Sequence, residues 1–256
     1  MTLRTIEAFL ALGDRPRVIA HRGFSARAPQ NTMAAFRQAL EIGADMIELD
    51  VRLSRDRELV VIHDQDLSRT TDGKGQVSEM TLAQLRQLDA GSSFSEEFAG
   101  EQIPTLTEAL SLVKGLMLLN VEIKTDADTG ELVTEKALRL IHEMQIADQV
   151  IISSFDPSVL KHSRDIDPGV KTASLYNELF HMGQSPIEIM EQVGSVAYNL
   201  RDDQVTVDII AECHEHGRPV AIYTINDLAR IPALVQMGID AIFTDRPDVM
   251  LELLKV

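Results

Sequence analysis

Cysteine is almost absent. Cys213 stands alone in 256 residues, so no intramolecular disulfide can form, and its neighbours Ile209-Ile210-Ala211-Glu212 offer nothing that activates a thiol. It reads as a helix-face residue. Basic side chains are also scarce, 24 Lys and Arg against 40 Asp and Glu, for a formal net charge of -16. A surface this acidic excludes nucleic acid as a general partner and repels anionic membranes. It repels a phosphate ligand as well, so any anion site must be made positive locally, by a bound metal or a few converging Arg and Lys residues. No apolar run approaches the roughly 20 residues needed to cross a bilayer. The stretch Met1 to Arg17 has scattered charges and no apolar core of the secretory kind. A cytoplasmic protein without stable membrane insertion is expected. There is no Gly-rich dinucleotide fingerprint, no internal repeat and no shift in composition to divide the chain, so residues 1–256 are expected to form a single domain.

An ordinary apolar fraction, 45%, is present and suffices for a full core. Runs rich in Val, Ile and Leu occur at 18–20, 46–51, 59–62, 117–123, 149–152, 171–175, 195–200, 219–225 and 240–243. Helical periodicity fills many of the gaps, as at 31–42, 81–88, 106–113, 130–144, 208–216 and 227–237. Strands alternating with helices imply a parallel sheet, and about eight such units in a chain of this length suit a closed (β/α)₈ TIM barrel better than an open sheet. Two places break the rhythm. Only seven residues separate Val51 from Leu59, too few for a parallel crossover, so a hairpin return is expected. A turn centred near Arg55-Asp56 would set Glu48 roughly opposite His63. From Asp64 to about Pro104 the chain is rich in Gly, Ser and Thr and only partly helical. This insertion after the third strand, taken with the following helix as residues 64–116, is expected to cover one end of the barrel.

Charges stand at strand positions where burial is the rule. In Met46-Ile47-Glu48-Leu49-Asp50-Val51, alternation sends both carboxylates to one face and the apolar residues to the other. Asn120, Glu122 and Lys124 share a face in the same way. Buried carboxylates repel unless a cation lies between them. Glu48, Asp50 and Glu122 form an all-oxygen ligand set suited to a hard divalent ion, Mg²⁺ or Ca²⁺, rather than zinc. His21 and His63 each end an apolar run, and each is followed by a charged residue, Arg22 and Asp64. Two imidazoles so placed suit proton transfer near neutral pH. Arg22 and Lys124 are suited to non-bridging phosphate oxygens, or to ion pairing with the same carboxylates. Phe94, Phe98, Phe155 and Tyr223 are candidate pocket walls. His142, His162, His181, His214 and His216 fall in helical or loop stretches, where solvated positions are expected.

The ordered series His21-Arg22-Gly23, Pro29-Gln30-Asn31-Thr32, Glu48-Leu49-Asp50-Val51, His63-Asp64, Ile103-Pro104-Thr105-Leu106 and Glu122-Ile123-Lys124 resembles the glycerophosphodiester phosphodiesterase family. Ser154-Phe155, Tyr223-Thr224-Ile225-Asn226 and Thr244-Asp245-Arg246-Pro247 extend the match to nearly the whole chain. The resemblance implies a phospholipase-C-like TIM barrel that hydrolyses glycerophosphodiesters, small-molecule substrates, to glycerol 3-phosphate and an alcohol. It implies a divalent metal on Glu48, Asp50 and Glu122, His21 and His63 as the acid/base pair, and Arg22 and Lys124 on the phosphate, with Phe155 and Tyr223 beside the substrate. It implies no oligomeric state. Gln30 stands where the family has glutamate, and Tyr223 where it has tryptophan. Two other readings keep the barrel. One is a lysophospholipase D-like enzyme acting on a longer lipid, which exposed apolar segments near the mouth would favour and the mostly polar insertion does not. The other is a catalytically silent barrel that binds a phosphorylated metabolite.

Overall fold

The computed structural model describes residues 5–11, 13, 15–125 and 129–254, so the ends of the expected 1–256 domain lie outside the described residues. Nine strands form one sheet: β1 (Arg17–Ala20), β2 (Met46–Leu53), β3 (Leu59–Val61), β4 (Leu118–Ile123), β5 (Val150–Ser154), β6 (Lys171–Leu175), β7 (Ala197–Arg201), β8 (Val220–Tyr223) and β9 (Ala241–Thr244). All are parallel except β3, which returns antiparallel on β2. Pairing of β1 with both β9 and β2 closes the remaining eight strands into a barrel, with helices between them. β2 has three neighbours because it is long. Its N-terminal half meets β1 at Met46 and Ile47, and its C-terminal half meets β3 at Val51, Arg52 and Leu53.

The hairpin is present, with a register one residue from the expected one. Val51 pairs with Val61 and Leu53 with Leu59, which puts the turn at Asp56. Glu48 is therefore not opposite His63. Regular pairing stops at Val61, and the chain bends at His63. Continued alternation would have carried His63 to the outward face it would share with Val61. The bend brings it to the barrel mouth instead, where buried Arg52 donates from Nε to its carbonyl at 2.7 Å.

The barrel interior is built in layers by the two-residue period of the strands. An apolar bottom layer contains Ile19, Met46, Leu118, Ile151, Ala173, Ala197, Ala221 and Ala241, with Ile6 and Phe9 of the short helix Ile6–Leu10 packed against it. Two residues further along the same strands stand His21, Glu48, Asn120, Ser153, Leu175, Asn199, Tyr223 and Phe243, and all eight line one cavity. The outward-facing alternates, such as Ile47, Leu49, Val51, Val121 and Ile123, pack under the helices. Hence charged residues at strand positions cost the outer core nothing: they point the other way.

Residues 64–104 carry short 3₁₀ turns and one short helix, Leu82–Leu85, around a small core of Val60, Ile62, Leu67, Val77, Leu85, Ala90 and Ile103. The next helix, Leu106–Val113, starts at a Thr105–Glu108 capping box and packs on the outer wall beside helix Met33–Glu41. Arg86 grips Glu108 with two bonds of 2.8 and 2.9 Å, tying the insertion to that helix. Among the described residues no helix is long and apolar enough to cross a membrane.

Candidate active site

Parallel pairing of β2 with β4 sets Glu48 beside Asn120 and Asp50 beside Glu122, so their side chains share the inner face. Glu48, Asp50 and Glu122 are all buried, and each offers a carboxylate oxygen within 4.8 Å of the others. The expected convergence is therefore present. Burial, then repulsion from Asp50 and Glu122, raises the pKa of Glu48 well above the carboxylate range. Burial raises Glu122 as well, with the Lys124 ammonium working against it. Asp50 goes the other way. Burial opposes its charge, but Lys124 and Arg22, with lesser help from His63 and Asn31, hold its carboxyl below the usual range.

Lys124 lies 3.0 Å from Asp50 Oδ1 and donates to Glu122 Oε1. Its burial would depress the ammonium; Asp50 and Glu122 outweigh that and raise it. Arg22 Nε is 3.2 Å from Asp50 Oδ2, and its Nη1 donates to Gln30 Oε1 at 2.6 Å. Gln30 thus still anchors the guanidinium, though as a neutral acceptor. Arg22 adopts a left-handed backbone (φ 55°), which aims its N–H at Glu48 Oε2, 2.8 Å away. Gly23 follows at φ 81°, and a Cβ there would lie 2.7 Å from Ala35. Glycine lets the turn sit directly on helix Met33–Glu41.

Both histidines are held through Nδ1. His63 meets Asp64 Oδ1 at 2.6 Å, and His21 meets Asp245 Oδ1 at 2.7 Å. In each ring Nε2 is left for a ligand. Burial chiefly lowers the His63 pKa, although the Asp50 charge opposes it. A hydrogen bond from Arg69 is the main reason Asp64 is held down to about 2. The Asp245 carboxyl is also lowered, because bonds from His21, Asn226 and Ser25 overcome its burial. The cleft lined by these groups encloses about 530 Å³ of empty space, part of it open to solvent. His21, Arg22, Glu48, His63, Glu122, Lys124, Phe155 and Tyr223 all line it, while Asp50 is buried and is not among the lining residues. Phe155 and Tyr223 meet edge to face at 6.0 Å, and the Lys124 ammonium sits 5.6 Å from the Phe155 ring centre.

Some expectations are not met. Phe94 and Phe98 pack on each other in the insertion and do not line the cleft. His181 is buried, not solvated, and accepts from the Asn177 N–H. Two supporting residues carry no role in the sequence reading. Asn31 donates from Nδ2 to Asp50 Oδ2 at 2.7 Å and accepts from the Asp50 N–H at 3.3 Å, a two-point clamp. Asp245 follows β9 as His21 follows β1, and the β1–β9 register that pairs Ala20 with Thr244 puts the two side by side. The acid after an apolar run in Phe243-Thr244-Asp245 was the available signal; its partner becomes visible only when the barrel closes.

The donor set fits a hard divalent cation on one further observation: Glu48 Oε1 is buried with no hydrogen-bond partner, aimed among oxygens that repel it. The class that this fold and chemistry define is a metal-assisted phosphoester hydrolase on a (β/α)₈ barrel. Residues 21–249 match the glycerophosphoryl diester phosphodiesterase family. A glycerophosphodiester phosphodiesterase of Caldanaerobacter subterraneus subsp. tengcongensis is 38% identical over 93% of this chain and 97% of its own. One from Bacillus altitudinis is 36% identical over 91% and 95%. The structure of an Oleispira antarctica phosphodiesterase in complex with the product sn-glycerol-3-phosphate superposes with a TM-score of 0.89, at 32% identity over 94% of this chain and 98% of that one. The chain belongs to the glycerophosphoryl diester phosphodiesterase family.

Proposed function

We propose that the cleft hydrolyses glycerophosphodiesters to glycerol 3-phosphate and an alcohol. The observation that carries this reading is the meeting of three buried carboxylates with two carboxylate-held histidines in one cleft at the C-terminal mouth of the barrel, the face where such barrels do chemistry. Glu48, Asp50 and Glu122 would hold the divalent ion, Mg²⁺ or Ca²⁺, and that ion supplies Lewis-acid neutralisation of phosphoryl charge. The chain's own groups do the rest. Arg22 offers a fork of N–H donors and Lys124 a point charge to the non-bridging oxygens, exchanging part of their pairing with Asp50 for the substrate. One imidazole takes the proton of the attacking hydroxyl, from water or the glycerol 2-hydroxyl; the other protonates the departing alkoxide. Asp64 and Asp245 fix each ring so that Nε2 faces the reaction. Phe155 and Tyr223 form the apolar wall for the carbon skeleton.

Arg69 of the insertion donates to Asp64, which in turn holds His63 through Nδ1. The single free cysteine suits a reducing, cytoplasmic setting, and the net charge of -16 disfavours nucleic acid. The test is release of glycerol 3-phosphate from a panel carrying choline, ethanolamine, glycerol or inositol, with chelator and with each metal restored. Release that stops with chelator and returns with metal is expected. No release from any member would overturn the reading.

A further inference from the structure

Two aspartates of the site are held by the same device. Asn31 clamps Asp50 at two points, and Asn226 does the same to Asp245: its Nδ2 donates to Asp245 Oδ2 at 2.6 Å, and its Oδ1 accepts the Asp245 N–H at 2.9 Å. The second amide has one workable orientation. Its Oδ1 also accepts from the hydroxyl of fully buried Thr244, 3.1 Å away, so a flip would turn Nδ2 onto two donors and set Oδ1 against a carboxylate. Thr244 is fixed in turn, since its Oγ1 accepts the Arg246 N–H at 3.1 Å. The series ends at His21, whose Nδ1 meets Asp245 Oδ1. It joins the ends of three neighbouring strands of the closed barrel, β8, β9 and β1.

Without the clamp Asp245 has room to leave, because its side chain is 33% exposed. Ser25 Oγ is the other neighbour, 2.9 Å from Asp245 Oδ1, but its single proton is shared with the His21 carbonyl at 2.8 Å. The undivided bond is the one from Asn226. Asp64, behind His63, is gripped by the Arg69 guanidinium. Asp245 is held by the uncharged groups of Ser25 and Asn226, which fix its place without cancelling its charge. An ionised carboxylate only accepts, so the proton between Asp245 and His21 sits on Nδ1, and Nε2 is the ring nitrogen left to exchange protons. We infer that Asn226 is a positioning residue for the hydrolysis: through Asp245 it holds the His21 imidazole in one tautomer and one orientation. The inference rests on the hydrolase reading above. Tyr223 and Thr224 of the same loop line the cleft, and a loop that only shaped the substrate pocket would act on KM rather than on kcat.

Two variants test this at an exposed position, where water can take over the bonds that the amide oxygen accepts. Asn226→Ala removes the clamp. Asn226→Asp keeps its shape and its accepting oxygen but sets a second carboxylate against Asp245. Each is expected to lower kcat on glycerophosphocholine by about tenfold or more, short of the roughly 10⁴-fold lost when an orienting carboxylate is itself replaced, with KM within about twofold of wild type. In an Asp245→Ala background neither is expected to cost anything further, because the group through which Asn226 acts is gone. Proton NMR supplies a readout that needs no substrate: a downfield His21 Nδ1–H signal, identified by its loss in His21→Ala, is expected in wild type and is lost in Asn226→Ala. A kcat within about twofold of wild type, a change in KM alone, or losses that multiply in the double variants would overturn the inference. So would a signal that survives in Asn226→Ala or is absent from wild type. No turnover by wild type on any glycerophosphodiester would instead defeat the hydrolase reading, and the signal would still show whether Asn226 places the ring.

Discussion

His21 and His63 look alike in sequence and are held alike in the structure: each meets a carboxylate through Nδ1, and both line the cleft. His21→Ala and His63→Ala are each expected to cut kcat by about 10²-fold or more, the scale of general acid–base catalysis. Steady-state kinetics showing near-normal turnover in either variant would remove that histidine from the mechanism. Asp64 carries a second expectation. Its folded pKa, held down to about 2 chiefly by Arg69, lies below the unfolded value near 3.9. A depressed carboxyl adds stability that is fully present above the unfolded value and is lost as pH falls from about 4 toward 2. Urea midpoints measured across that window should fall less steeply for Asp64→Asn than for wild type. At this scale the sequence showed which side chains share the inner face of the site, because alternation alone puts Glu48 with Asp50 and Glu122 with Lys124. It did not show who holds them. Asn31 reaches Asp50 across 19 positions, and Asp245 reaches His21 across 224, and such partnerships are written only in the closed fold.

At the scale of elements, the β1-to-helix turn is the most constrained piece of the site. Arg22 and Gly23 are both left-handed; Arg22 bonds to Glu48 through its N–H and forms an ion pair with Asp50, and a side chain at Gly23 would press on Ala35. Gly23→Ala is expected to destabilise the fold by about 1–3 kcal/mol, since a methyl at 2.7 Å must push helix Met33–Glu41 away or deform the turn. Chemical denaturation measures this directly, and a wild-type midpoint would show that the contact yields cheaply. All nine strands were legible as apolar runs, and so was the hairpin, because seven residues cannot make a crossover. Its register was not. One residue of difference in a turn moves every pair, and hydrophobic pattern cannot fix it where both faces of β2 are buried. The segment at 176–182 was also missed: Leu179, Phe180 and Met182 in sequence suggest interior, and only the structure shows His181 taking that place.

The whole molecule sets a long-range field against the local one. Arg22, Lys124 and the cation that Glu48, Asp50 and Glu122 would hold make the cleft attractive to phosphate at contact. At longer range the net charge of -16 repels anionic substrates. Raising ionic strength from about 0.01 to 0.15 M shortens the screening length from about 30 to 8 Å. For anionic diesters kcat/KM is therefore expected to rise with salt, by about twofold or more, while for zwitterionic glycerophosphocholine it stays level. A steep fall with salt for the anionic diesters would mean that attraction from the cleft reaches past the surface. The closed barrel itself unites these scales, since closure alone brings β9 to β1 and stacks the polar layer over the apolar one.

The central claim is that Glu48, Asp50 and Glu122 bind one divalent ion together. Calorimetric titration of the metal-stripped protein with Mg²⁺ and with Ca²⁺ tests it most directly. One ion per chain for at least one of the two metals, with binding lost in Glu122→Gln, is the expected result. No heat from either metal, or undiminished binding by that variant, would contradict it.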